Sequence, residues 1–397
     1  MEYDFDSSID RTGSLKWGKW PEKIPMWIAD MDFGSPPPIL QALKDRVAHG
    51  DFGYEDPDPP ETFKMAIANR LRAAVVGWAW RRYGWKIECR DIMFVPGVVS
   101  GLNLACRAFC KEADGVLMLT PIYPPFLRAP KNNGMINKEV PLARDDRNGF
   151  VHYTIDFDAL KSAATTGRKC RMFMACHPHN PIGQVFSEGD RHRLAQFCIE
   201  NDLVLCSDEI HCDLQFDGAT HTPNALLSDE LATRTVTLMS PSKTFNLSGL
   251  GLGVAVVTDE NLRTRLRKAS EDIAPPLNAL SATAALTAFS GHCDEWLKQL
   301  LAYLRRNRDE MVKIVRTRLP GVKTTMPTAT YLAWFDCSQA LVEHNPLTFF
   351  LERAQVALTE GADFKGDGHD FLRFNFACPR RQMVNALDRM AAALACK

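Results

Sequence analysis

Six short apolar runs, each ending in a cluster of polar residues, constrain this chain more than any other feature. They are IMFV at 92–95, VLML at 116–119, MFMAC at 172–176, LVLC at 203–206, TVTLM at 235–239 and VAVV at 254–257. Helical patterns lie between them; one begins at Ser187, where Ser187-x-x-Asp190 forms a capping signal ahead of Leu194, Phe197 and Cys198. Strands that read as continuous apolar runs are covered on both faces, so this stretch predicts an α/β fold with a mostly parallel sheet between helices. Upstream, Phe63, Ile67, Leu71, Val75 and Trp78 recur at three- and four-residue spacing and predict an amphipathic helix. Beyond about residue 285 the texture shifts to long helical patterns with two late strands, TYLAWF at 330–335 and FLRFNF at 371–376. The expected organisation is an arm at 1–45 that belongs with the small domain, a large domain at 46–285 and a small α+β domain at 286–397. A length of 397 residues fits two or three such units.

Composition narrows the partners. Lys and Arg number 47 against 48 Asp and Glu, a net charge of −1 that gives nucleic acid and acidic membranes no electrostatic foothold. The twelve cysteines form no CxxC pair, so a zinc-ribbon or thioredoxin-like site lacks its signature; they read as reduced core residues. MEYDFDSSID is not a signal peptide, and no apolar run approaches the ~18–20 residues of a membrane span. The expectation is a cytoplasmic protein.

In open α/β sheets ligands bind beyond the carboxyl ends of the strands. Five consecutive strand ends here deliver Pro96-Gly97-Val98-Val99 at a helix start, Tyr123, Asn180, Asp208 with His211, and Ser240-Pro241-Ser242-Lys243. Pyridoxal phosphate asks for that set. Its aldehyde needs a lysine and its ring nitrogen a carboxylate; its phosphate suits a helix N-terminus, its ring a flat partner and its phenolic oxygen a donor. Lys243, Asp208, Gly97 to Val99, Tyr123 and Asn180 fill those roles in order. Each has a plainer reading when taken alone: a surface lysine, a helix cap, a helix start, a packed aromatic, an Asn-Pro turn. Only their joint placement favours chemistry. Asp208 and Lys243 stand one β-α-β step apart.

The segments PMWIADMDF (25–33), PGVVSGL (96–102), YPPF (123–126), PHNPIG (178–183), SDEIHCDL (207–214), SPSKTFNLSGL (240–250), TYLAW (330–334) and LRFNFACPR (372–380) resemble, in order, the MalY/PatB-type C–S lyase group. That group lies within the class I/II aminotransferase family of fold type I pyridoxal-phosphate enzymes. The resemblance implies that Lys243 and Tyr123 are catalytic. Lys243 would hold the cofactor as a Schiff base and move the substrate Cα proton, while Tyr123 stacks on the ring. It also implies that Asp208 pairs with the ring nitrogen, that Asn180 and His211 serve the ring hydroxyl, and that Gly97, Val98, Val99, Ser240 and Ser242 hold the phosphate. Tyr54 would reach the phosphate of a second subunit, making the enzyme a homodimer with shared sites. Arg373 would bind the substrate α-carboxylate, with Asp30 also at the substrate. Strand alternation puts Arg373 and Asn375 on one face, and a planar fork suits carboxylate capture.

The reaction expected from the resemblance is β-elimination of cystathionine or a cysteine S-conjugate to thiol, pyruvate and ammonia. Transamination is the alternative within the fold, and a regulatory protein-binding role is the distant one. Three departures stand out: His177 replaces an expected asparagine, Ile182 a usual threonine, and Lys365 a common glycine. They point to a bulkier S-substituted cysteine of a natural product, with decarboxylation or oxidative deamination as a variant outcome. Three decoys are set aside. Gly249-Leu-Gly251-Leu-Gly253 precedes a strand, whereas a dinucleotide loop follows one. His177-Pro178-His179 and Asp208-Glu209 with His211 lack further metal ligands at the right spacing, so no metal is expected.

Overall fold

The computed structural model describes residues 2–7, 9–340 and 345–396. The six apolar runs become strands β1 (Ile92–Val95), β2 (Gly115–Thr120), β4 (Cys170–Cys176), β5 (Val204–Asp208), β6 (Thr235–Met239) and β7 (Gly253–Val256). A further strand, β3 (Ile136–Pro141), has no counterpart in the sequence reading. It pairs along one side only, next to β2, and its INKEVP sequence is largely exposed, so it shows no apolar run. The sheet order is β1-β7-β6-β5-β4-β2-β3, and β7 alone runs against its neighbours. Alternating side chains feed two cores. Val116, Met118, Met172 and Met174 enter one face, while Leu117, Leu119, Phe173 and Ala175 enter the other.

The amphipathic helix expected upstream runs from Ile67 to Tyr83 and buries Ile67, Leu71, Val75 and Trp78. Phe63 is not part of it. Turn hydrogen bonds from Phe63 N to Pro60 O and from Ala66 N to Phe63 O delay the start, and Phe63 is exposed. The helix expected after Ser187 spans Glu188–Glu200, with the Ser187 hydroxyl oxygen accepting from the Asp190 N–H.

The two late runs pair antiparallel as β9 (Leu332–Asp336) and β11 (Phe371–Asn375), flanked by β8 (Lys323–Thr324) and β10 (Thr359–Glu360). Trp334, Arg373 and Thr359 stand in one cross-strand row. The segment at 24–32 is stitched to this second sheet. Ile24 and Pro25 pair with Val356 and Ala357, Asn375 N donates to Met26 O, and Asp32 N donates to Ala377 O. Among the described residues no helix is long and apolar enough to cross a membrane.

Candidate active site

The polar strand ends of the large sheet converge on the face presented by the second sheet. The β6 chain end turns into a single helical turn, Pro241–Thr244, capped by Ser240. Ser240 Oγ accepts from Ser242 N at 3.1 Å and donates to Leu252 O at 2.6 Å, so its proton is already committed to the fold. Its more immediate action is to fix Ser242, whose hydroxyl lies 2.9 Å away. Thr244 anchors the far end of this turn to the buried Asp213 carboxylate at 3.0 Å. Lys243 is thereby aimed across the site, where Nζ donates to Ala29 O at 2.7 Å. Tyr331 donates to the same carbonyl at 3.1 Å. Burial pulls the Lys243 amine down to about 8, a favourable setting for a group that must take up a proton.

Asp208 ends β5 with its carboxyl buried and held by the Ile210 N–H at 3.0 Å. Burial, opposed by that bond, raises its pKa to about 7. An acid so placed can share a proton with a basic ring nitrogen. His211 is buried against Tyr331, and its Nδ1 has no partner. Desolvation, with the neighbouring Lys243 and Arg373 charges, drives its pKa down to about 3, so it stands as a neutral imidazole.

Gly97 leaves β1 with φ at 93°, a conformation open to glycine, and starts the helix Val98–Phe109. The Val98 and Val99 N–H groups lie in its first turn, where no intrahelical acceptor exists. Gly253 approaches this start so closely that a Cβ there would sit 3.2 Å from Val98 N and 3.1 Å from the Gly97 carbonyl carbon. That glycine, part of a rejected dinucleotide motif, therefore belongs to the cradle.

Arg373 rises from β11 and is only 4% exposed, yet no carboxylate pairs with it among the described residues. Nη1 donates to Asn180 Oδ1 at 3.1 Å, Nη2 to Trp27 O at 3.0 Å and to Thr359 Oγ1 at 3.3 Å, while Nε is buried without a partner. Burial lowers its pKa to about 10. Phe364 lies under the guanidinium, 5.1 Å from ring centroid to Cζ. A buried cation lacking its counter-charge, with a donor to spare, is what a carboxylate ligand requires. Tyr123 caps the helix Pro124–Asn132 and feels the charges of both Arg373 and Asp208.

Asp30 ion-pairs with Arg11, 2.5 Å away, and Lys16, 3.4 Å away, and its charge also acts on Lys243, whose Nζ bonds the adjoining Ala29 carbonyl. Tyr54 is 96% exposed on its loop. Sequence reasoning assigned no role to Tyr331, Thr359 or the Trp27 and Ala29 carbonyls; backbone acceptors leave no mark in residue type. Of the metal decoys, His179 bonds the Pro121 and Cys176 carbonyls at 2.7 and 3.1 Å. Orphaned His211 Nδ1, orphaned Arg373 Nε and the glycine-lined helix start together fit a flat, phosphorylated cofactor bound with an amino acid.

Comparison with known proteins agrees with that geometry. A family model for aminotransferase class I and II matches residues 21–390. Cystathionine beta-lyase PatB of Bacillus subtilis (strain 168) is 36% identical over 401 residues, covering 98% of this chain and 100% of its own. The solved structure of OvoB superposes with a TM-score of 0.90 at 38% identity over the whole of both chains. Cystalysin from Treponema denticola, which contains a pyridoxal 5'-phosphate cofactor, gives a TM-score of 0.91 at 30% identity over 100% of this chain and 99% of its own. The α/β architecture expected from the apolar runs is the fold type I that the resemblance implied, and the chain belongs to the aminotransferase class I and II family.

Proposed function

We propose that this protein is a pyridoxal 5'-phosphate-dependent C–S lyase that cleaves cystathionine or another cysteine S-conjugate to a thiol, pyruvate and ammonia. The observation that carries the reading is the buried, counter-charge-free Arg373, close enough to Lys243 for its charge, with that of Asp208, to act on the amine. Support for the leaving group comes from relatives: PatB is a cystathionine beta-lyase, and a C–S lyase from Staphylococcus hominis is 32% identical with a TM-score of 0.90.

When bound, the cofactor accepts the electron pair released as the Cα–H bond breaks. Asp208 would hold the ring nitrogen's proton, Asn180 and His211 would serve the ring hydroxyl, and Tyr123 would cover the ring. The N–H groups of Val98 and Val99, with Ser242 set by Ser240, would bind the phosphate at Gly97. Arg373 grips the substrate carboxylate and so fixes which bond at Cα stands ready to break. Lys243 takes the Cα proton, and its bond to Ala29 O, shared with Tyr331, keeps the amine on that side. The Cβ–S bond then breaks with both electrons leaving on sulfur as thiolate; water completes the release of pyruvate and ammonia.

A homodimer belongs to this reading. Val47, Phe52, Tyr54, Phe63 and Met65 form an exposed apolar stretch that a second copy would cover, bringing Tyr54 to its partner's phosphate. The arm at 1–45 would move with the small domain at 286–397 against the large domain at 46–285. Twelve unpaired cysteines fit a reducing, cytoplasmic setting. The test is incubation of the cofactor-loaded protein with cystathionine and S-alkyl cysteines. Thiol and pyruvate in equal amounts support the reading; a keto acid that retains its sulfur would make the enzyme an aminotransferase.

A further inference from the structure

We propose that Lys365 is a specificity-determining residue that receives an anionic group, a carboxylate, at the far end of the sulfur substituent. This rests on the lyase reading above. Lys365 has φ 63° and ψ −161°, a backbone conformation essentially reserved for glycine, and it stands where glycine was expected from sequence. Its neighbours hold it there. On one side Phe364 O accepts from Ile122 N at 2.9 Å, beside Tyr123, and the Phe364 ring supports Arg373. On the other, Gly366 packs so tightly that a Cβ would lie 2.9 Å from Pro121 N. The turn is thus held on both sides of Lys365 to the Pro121-Ile122 segment that leads into Tyr123, and through the Phe364 ring it borders Arg373. Its side chain is exposed and has no ion pair among the described residues, although Asp363 lies on the same turn and the Asp367 carboxylate accepts from Tyr153 OH at 2.8 Å. Arg128, a second exposed cation without an ion pair there, also acts on Tyr123. A strained, solvent-facing lysine adds nothing to the fold that glycine would not supply. The turn that carries it borders Tyr123 and Arg373, and a cation is what the strained position adds there.

The test compares S-(2-carboxyethyl)-cysteine with its neutral near-isostere S-butyl-cysteine in wild type, Lys365→Ala, Lys365→Gly and Lys365→Arg. The ratio of kcat/KM for the charged over the neutral substrate should fall about fivefold in the Ala and Gly variants, the scale of a solvent-exposed ion pair, and return in the Arg variant. Lys365→Gly should unfold in urea no earlier than Lys365→Ala. An unchanged ratio in both neutral variants overturns the inference while leaving the lyase reading intact. Should wild type release thiol from neither substrate, the lyase reading fails. Calorimetric affinities for the same pair then decide: a fallen charged-to-neutral ratio in the Ala and Gly variants upholds the role of Lys365, and an unchanged one refutes it.

Discussion

Arg373→Gln separates function from stability at one position. The wild-type guanidinium is buried without an acidic partner and makes hydrogen bonds only to neutral groups, at Asn180, Trp27 and Thr359. Two parallel charge-assisted bonds to a substrate carboxylate are worth about 1.5–3 kcal/mol each, or roughly 3–6 kcal/mol together. At about 1.4 kcal/mol per tenfold, their removal lowers kcat/KM by roughly 10²–10⁴. The fold should suffer far less. Removing a buried, uncompensated charge recovers desolvation energy, and a glutamine amide can satisfy some of the same acceptors. Urea unfolding without substrate should therefore stay within about 1 kcal/mol of wild type, a trade of stability for binding common at active sites. Steady-state kinetics with S-ethyl-cysteine and equilibrium unfolding by circular dichroism measure both quantities. A loss of more than ~3 kcal/mol of stability with unchanged kcat/KM would refute the reasoning and make Arg373 a structural residue.

Other outcomes follow from the same geometry. In cofactor-free protein Asp208 titrates near 7 in the folded state against an ordinary 3.8, so the native state binds more protons between those values. Stability should then fall as pH rises from about 4 to 7, and Asp208→Asn should flatten that slope in urea titrations; an identical slope contradicts the assignment. His221 Nε2 lies 2.6 Å from Glu209 Oε2 with both side chains fully buried, next in sequence to Asp208. His221→Phe leaves Oε2 without its partner while Oε1 keeps the Ser207 hydroxyl and the Asn224 N–H; it should cost about 1–3 kcal/mol of unfolding free energy, whereas no measurable cost would show the bond to be idle. Gly253→Ala forces a methyl against the Val98 N–H. Its cofactor Kd, measured by equilibrium dialysis, should rise at least about tenfold, and the thermal midpoint of the cofactor-free protein should fall, since the methyl also meets Val95 Cγ2 at 2.9 Å; equal affinity would remove Gly253 from the cradle.

Much of this was legible in sequence because buried parallel strands leave continuous apolar runs and their carboxyl ends gather the chemistry. Lys243, Asp208, Asn180 and Arg373 were all named from that pattern and from resemblance, and the fold brings them together. The edge strand at Ile136–Pro141 was hidden because an exposed edge carries lysine and glutamate where a core strand carries valine. Phe63 misled the helix assignment because its spacing matched a helical repeat that a turn interrupts. Asp30 was named from resemblance alone; its ion pairs with Arg11 and Lys16 come from residues that carry no signal of their own, and its charge still acts on Lys243. Tyr331 and the Ala29 carbonyl, which together aim Lys243, come from segments 302 residues apart and have no local signature.

Lys243 is the group assigned to hold the cofactor. Pyridoxal 5'-phosphate added to the purified protein, followed by borohydride reduction and peptide mass mapping, tests it directly. One phosphopyridoxyl group per chain is expected on the peptide containing Lys243, and none in Lys243→Ala. Modification at another lysine, or none in the wild type, would contradict it.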